Sequence, residues 1–377
     1  MEDYLDCPGG AIFLSAVSGG ADSMAMLAAL CVVVPKDRIF CLHVEHGLRP
    51  AEESKGDAEH VSAFCKKNKI KCFVESIPPG DIEAFAKSKG TGIEAAARYF
   101  RRRLFFRYAD RLEKEKGKKV YILTAHTIDD ALELSLMRIF RGAGPAGLSF
   151  MPVRRGRLLR PMLKANRNKV VMYLNHKKIT WREDSTNTDK KFLRNKIRGD
   201  LIPILDKCFP EWRSGILALS ATQSLVAKHF SNSAQKIVTW ERSSGGLVTD
   251  DENFFSLSKI LREEAVFCAI DKLSFQKEKM SADEEFQVNS VKRSVIRRFC
   301  SGSASVVDLG ALILKRGNGK VALSYKNGDF YEKGFSLLIK EPGLYNLNNI
   351  SIEMRPNPEG DSSAGGGYVF LVTEKEP

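Results

Sequence analysis

Short apolar runs alternate with longer stretches whose apolar residues recur every three or four positions through the first half of the chain. Residues 11–17, 38–44, 71–77 and 120–125 have the length and β-branched content of buried strands. Between them, 23–33, 52–67, 93–116 and 129–141 carry the helical period, and Pro78-Pro79-Gly80 closes the third strand. Strands that alternate with helices need crossover connections. The pattern therefore predicts an α/β fold, a doubly wound and mostly parallel sheet with helices on both faces.

The pattern changes after about residue 205. Segments 211–230, 255–273 and 286–300 read as helices, and from 304 onward the chain reads as strands. Turn signals stand at Arg316-Gly317-Asn318-Gly319 and Lys326-Asn327-Gly328-Asp329, predicting two small hairpins. The glycine- and serine-rich stretch 358–367 reads as a loop before a last strand, 368–373. No internal repeat is found. The expected division is a catalytic α/β domain over 1–205, a smaller mixed α+β region of helices and a hairpin over 206–340, and a short β-rich segment over 341–377.

Composition narrows the class. A chain of 377 residues that is 43% hydrophobic and 28% charged is long enough for two globular domains, and its net charge of +13 favours an anionic partner. The eight cysteines form no Cys-x-x-Cys pair, which removes the usual signature of zinc ribbons, Fe–S ligation and thioredoxin-like chemistry. Most lie in apolar runs and read as reduced core residues. The acidic start, Met-Glu-Asp-Tyr-Leu-Asp, has no signal-peptide character, and no apolar run is long enough to cross a bilayer. A cytoplasmic protein without a membrane partner is expected.

The chemistry gathers where strands end. Ser18-Gly19-Gly20-Ala21-Asp22-Ser23 joins the first strand to the first helix. Adjacent glycines let the backbone turn sharply and approach a ligand, with N–H groups and the helix N-terminus aimed at one point. Such a loop binds phosphate or is simply a structural turn. It matches neither the Walker pattern nor Gly-x-Gly-x-x-Gly. Asp22 would repel phosphates unless it holds a Mg²⁺ ion or orients a donor. His43-Val44-Glu45-His46-Gly47-Leu48-Arg49 ends the second strand and Thr124-Ala125-His126-Thr127-Ile128-Asp129-Asp130 ends the fourth. Open α/β sheets bind ligands along that edge. Asp129 and Asp130 could merely cap a helix, but with Glu133 one turn on they also form an acidic cluster suited to a metal or an amine.

These motifs resemble the N-type ATP pyrophosphatases, which cleave ATP between its α- and β-phosphates. Within that group the chain resembles the tRNA(Ile)-lysidine synthetase family. The shared stretches are His43–Arg49, Glu94-Ala95-Ala96-Ala97-Arg98, Thr124–Asp130, Arg141-Gly142-Ala143-Gly144, Leu159-Arg160-Pro161, Glu183-Asp184-Ser185-Thr186-Asn187 and Arg194-Asn195-Lys196-Ile197-Arg198. The likeness covers roughly 11–205. The family commonly has Asn where Glu45 stands, His at Thr127, and Gln and Thr at Ala131 and Leu134, so no role for those residues carries over.

The resemblance implies an ATP-dependent ligase. It would adenylate O2 of the wobble cytidine in the CAU anticodon of tRNA(Ile) and join free L-lysine at C2, giving lysidine. It implies ATP at Ser18, Gly19, Gly20, Ala21, Asp22, Ser23, His43, His46, Gly47 and His126, with Mg²⁺ on Asp22. Lysine would sit against Asp129, Asp130 and Glu133, with Asp130 as base, helped by Glu133. Basic residues would meet the tRNA: Arg98 and Arg101 on the helix that also carries Arg102, Arg103 and Arg107, and Arg194, Asn195 and Arg198. Fifteen Lys/Arg against three Asp/Glu between 154 and 198 favour such contacts. A homodimer also fits the family. Alternative readings are another adenylating tRNA-modifying enzyme such as a thiolase, or a non-catalytic RNA-binding protein on a nucleotide fold.

Overall fold

The computed structural model describes residues 9–48, 51–183, 193–243, 245–276, 291, 293–310, 312–326, 343–347, 350–356 and 368–374. They form two compact units, Met1–Lys326 and Asn327–Pro377. Among the described residues no helix is long and apolar enough to cross a membrane.

A six-stranded sheet in the order β3-β2-β1-β4-β6-β5 carries the first half. Its strands are β1 (Ile12–Ala16), β2 (Ile39–Glu45), β3 (Lys71–Ser76), β4 (Val120–Leu123), β5 (Arg154–Arg155) and β6 (Leu158–Leu159). All adjacent pairs are parallel except β5 with β6 at the edge. The helices of this half are α1 (Ala21–Val33), α2 (Ala51–Lys67), α3 (Asp81–Lys89), α4 (Ile93–Lys116), α5 (Ile128–Phe140), α6 (Pro145–Leu148) and α7 (Arg167–His176).

Period two along the strands sorts side chains to two cores. Phe13, Ile39, Cys41, Tyr121 and Leu123 face one side, under Met24 and Leu27 of α1, Val61 and Cys65 of α2, and Val170 and Leu174 of α7. Ile12, Leu14, Phe40, Leu42 and Ile122 face the other, against Ile82 of α3 and Ala96, Phe105, Ala109 and Leu112 of α4. Both strand faces are covered, which is why these segments read as unbroken apolar runs. The doubly wound sheet expected from the sequence is present. The helices α3, α6 and α7 and the two-residue strands β5 and β6 are additions, too short or too polar to show a clear period.

The chain continues through α8 (Leu193–Lys196), a π turn at Ile197–Leu201, α9 (Ile202–Cys208) and α10 (Trp212–Ile237). Then come β7 (Glu241–Ser243), β8 (Gly246–Asp250), α11 (Asp251–Ser256), α12 (Lys259–Gln276), α13 (Arg293–Cys300), β9 (Val306–Asp308), β10 (Leu312–Gly317) and β11 (Lys320–Tyr325). The antiparallel sheet β7-β8-β11-β10-β9 packs on Phe254, Val266, Ile270, Ile296 and Phe299 of these helices. The helix expected over 255–273 is in fact two. Asp250 caps α11 through Asn253 N at 2.8 Å, and Leu257, buried in extended conformation, separates it from α12. The hairpin at 316–319 forms, with Asn318 and Gly319 both left-handed. The second expected hairpin turn lies outside the described residues from 327 on, as do 286–290 and the stretch 358–367.

Within Asn327–Pro377, β12 (Gly343–Leu347), β13 (Ile350–Pro356) and β14 (Tyr368–Glu374) make an antiparallel sheet, with β13 central.

Candidate active site

Strand order reverses at β1, whose neighbours are β2 on one side and β4 on the other. The loops leaving β1, β2 and β4 therefore open on one crevice, where such sheets bind ligands.

Between β1 and α1 the chain turns through Gly19, whose φ of 93° is left-handed and suits glycine. Gly20 then caps α1 without a side-chain bond. The loop is braced from within: Ser18 N donates to Ser23 Oγ at 3.2 Å, and Ser23 Oγ donates to Gly20 O at 2.9 Å. Met24 N is the first amide to find a helical acceptor, Gly20 O at 3.0 Å. The amides of Ala21, Asp22 and Ser23 precede it and have no acceptor within the helix, so the end of α1 presents N–H groups and a positive dipole to the crevice.

Behind the loop, His43 is buried with Nδ1 2.8 Å from Val17 O. It ties the end of β2 to the start of the loop. Gly47, with φ of 65°, lies against the next connection, where an added Cβ would stand 3.0 Å from Ile77 O. His46 lies beside it, and Arg49 falls outside the described residues.

Carboxylates line the other wall. Thr127 and Asp130 form a capping box at the start of α5, with Thr127 N donating to Asp130 Oδ2 at 2.7 Å. The bland role for Asp130 is thus present, and it uses one oxygen. The other accepts from Arg194 Nη2. Glu133, one turn on, is 1% exposed and takes Arg194 Nε on Oε2 and Arg198 Nε on Oε1, each at 2.7 Å. Asp129 turns away and accepts the Arg167 amide at 2.8 Å, at the start of α7. Arg194 and Arg198, expected to face tRNA, pair with these carboxylates, with Asn195 between them in sequence on α8. Arg98 is exposed and Arg101 half-buried on α4.

Asp22 and His126 complete the crevice. Burial raises the Asp22 carboxyl, Arg167 opposes that and Asp130 adds to it. Asp22 Oδ2 lies 3.3 Å from Arg167 Nη1, while Oδ1 is buried without a partner among the described residues. His126 contacts Thr124 Oγ1 at 3.0 Å through Nδ1. Burial pushes its imidazole down to about 4; Asp130 opposes the shift, and Arg98, Arg160 and Arg194 reinforce it. It is a neutral ring near pH 7.

Several contributors were not singled out by spacing. Arg167 bridges Asp22 and Asp129, and Arg160 is buried with Nη1 on Pro152 O at 2.8 Å. Arg182 N donates to Gly19 O at 3.1 Å while its guanidinium pairs with buried Asp57 of α2. Arg160 stands in the shared Leu159-Arg160-Pro161 stretch, whereas the signal for Arg167 and Arg182 was the excess of basic residues over 154–198.

A doubly wound sheet whose switch point carries an amide-lined glycine loop and a facing acidic wall defines a nucleotide-binding α/β domain. The family model for the PP-loop domain matches residues 5–205, and the chain belongs to the PP-loop family. Among curated proteins it is similar to "tRNA(Ile)-lysidine synthase" of Treponema denticola, 45% identical over 205 residues that make up 54% of this chain and 43% of that protein. It is also similar to the protein of the same name from Treponema pallidum subsp. pallidum, 42% identical over 54% of this chain and 42% of the relative. Each match thus spans under half of the relative's length. Among solved structures, a U34-tRNA thiolase from Methanococcus maripaludis with its [4Fe-4S] cluster aligns at 14% identity and a TM-score of 0.44, over 58% of this chain and 73% of that one.

Proposed function

We propose that the chain is an ATP-dependent tRNA(Ile)-lysidine synthetase. The observation that carries this reading is the pairing of the Ser18–Ser23 loop with the Asp130 and Glu133 wall across one crevice. An enzyme that adenylates a base and then admits an amine needs both. The carboxylates already hold two guanidinium groups, so their geometry suits a lysine ammonium as well.

In the first step O2 of the wobble cytidine attacks the α-phosphorus of ATP, and the bond to pyrophosphate breaks. The amides at the start of α1 receive the charge that develops on the leaving phosphates. In the second step the lysine ε-amine attacks C2, and the C2–O2 bond breaks with AMP as leaving group. The amine is mostly protonated near neutrality, so a carboxylate must bind it and take its proton. Asp130 lies at the mouth of the wall and Glu133 is buried behind it, which favours Asp130 as the base. Mg²⁺ fits Asp22, whose buried Oδ1 lacks a partner among the described residues, and when bound it would neutralise phosphate charge. The domain assignment goes with this reading: catalysis over 1–205, tRNA contacts from Arg98, Arg101, Arg194, Asn195 and Arg198 and from 206–340, and a short further segment over 341–377.

The test is incubation with a CAU-anticodon isoleucine tRNA transcript, ATP and labelled lysine. ATP-dependent label at the wobble cytidine is the expected result. Sulfur incorporation, or RNA binding without any turnover of ATP, would move the chain to one of the alternatives.

A further inference from the structure

Three thiols meet between α2 and the sheet. Cys41 lies in the middle of β2, Cys72 is its in-register neighbour on β3, and Cys65 comes from α2. Their sulfur atoms all lie within 4.8 Å of one another, and none is in a disulfide. Cys41 and Cys65 are fully buried, whereas Cys72 is half-buried and reachable.

The trio is unequal. Hydrogen bonds from Cys41 and then Cys65 draw the Cys72 thiol down, with Ser62 and His43 helping against burial. Cys41 is pushed up by its bonds with Cys65 and Cys72 and by burial. For Cys65 the bond with Cys41 lowers the thiol, but the bond with Cys72 and burial outweigh it. Thiol donors aimed at Cys72 favour its ionised form over that of its two neighbours, the arrangement that makes a cysteine nucleophilic. A metal ion fits less well. Among the described residues no further His, Cys, Asp or Glu joins the three, and three thiolates around a monovalent or divalent ion would leave net negative charge in an apolar interior.

We propose that this cluster is an oxidation site at which a hydroperoxide converts Cys72 to a sulfenic acid and Cys65 closes a reversible disulfide onto it. The Cys72 sulfur attacks the O–O bond, forms an S–O bond and expels hydroxide or alkoxide. The Cys65 sulfur then attacks the Cys72 sulfur, the S–O bond breaks, and hydroxide leaves with the Cys65 proton as water. Each sulfur is oxidised by one electron and the hydroperoxide is reduced by two. Cys65 rather than Cys41 is the resolving thiol because the β ladder holds in-register neighbours about 4.8 Å apart, beyond the roughly 3.8 Å Cβ separation that a disulfide requires. A residue on a packed helix is not held by that spacing.

The experiment treats the full chain with hydrogen peroxide, blocks remaining thiols by alkylation and maps peptides by mass spectrometry. A Cys65–Cys72 link is expected, reversed by dithiothreitol, with Cys72 lost about tenfold faster than exposed Cys208. In Cys65→Ser the sulfenic acid at Cys72 should persist and be trapped by dimedone. In Cys72→Ser no link to Cys65 should form. A Cys41–Cys72 link, or oxidation of Cys208 ahead of Cys72, would overturn the proposal.

Discussion

Arg194 lies across Glu133, its Nε donating to Oε2 at 2.7 Å on a carboxylate that is 1% exposed. Arg198 takes the second oxygen, and Arg194 also reaches Asp130. A short element after residue 192 is thereby fastened to the first turns of α5. A buried carboxylate alone would be costly, and two guanidinium groups, each donating its Nε–H to one oxygen, make it tolerable. The wall that is proposed to receive an amine is therefore occupied by the chain's own cations.

Breaking this clamp should be measurable as coupling. Arg194→Met is expected to cost about 1–3 kcal/mol in urea unfolding, because Glu133 keeps only Arg198. In a cycle with Glu133→Leu the double variant should recover about 1 kcal/mol or more relative to the sum of the singles. Additivity of the two changes would show that the pair contributes no mutual stabilisation.

The glycine loop and the strands that feed it were legible because period and punctuation fall together there: apolar runs end at Gly19-Gly20, at Gly47 and at Thr127. The clamp was only half legible. The i, i+4 spacing of Arg194 and Arg198 predicts a shared face, but no local pattern says that the face meets Glu133, sixty residues away. The contacts of Arg167 and Arg182 are equally long-range, hidden in a stretch where any basic residue looks like a surface charge. The cysteine trio was hidden for the same reason, since Cys41, Cys65 and Cys72 meet only once β3 pairs with β2.

His126 gives a pH signature. Its ring titrates near 6.5 in the unfolded chain and near 4 in the fold, with burial as the main cause. A depressed folded value means that the fold favours the neutral ring. That contribution is complete above about pH 6.5 and is lost as pH falls towards about 4. Melting temperatures between about pH 7 and about pH 4.5 should therefore fall more steeply for the native chain than for His126→Gln. Parallel curves would place the acid sensitivity elsewhere.

The two glycines of the loop should respond differently to a methyl group. Gly19→Ala forces an L-residue to a φ of 93°, costing about 1–2 kcal/mol and turning the amides that follow. Gly20 has φ of −71°, and its added Cβ would meet Ser18 Oγ at 3.5 Å and Arg182 O at 3.9 Å, both ordinary contacts. Gly19→Ala is expected to lose ATP-dependent lysine transfer by about tenfold or more, with Gly20→Ala closer to the native rate. Equal losses would mean that the left-handed turn is not what orients the amides.

Asp22 should govern the requirement for Mg²⁺. Burial raises its carboxyl and Asp130 adds to that, so protons compete with a cation for the same oxygen as pH falls. Asp22→Asn removes the charge but keeps the shape. It should raise the Mg²⁺ concentration for half-maximal lysine transfer by about tenfold while leaving the melting temperature unchanged or slightly higher, since a partly buried charge is gone. Arg167→Ala provides the complementary change. Arg167 holds the carboxyl down, so its loss should move the Mg²⁺ dependence to higher pH without abolishing it. Magnesium titrations at several pH values read both effects, and an unaltered Mg²⁺ requirement in Asp22→Asn would remove the ion from this carboxylate.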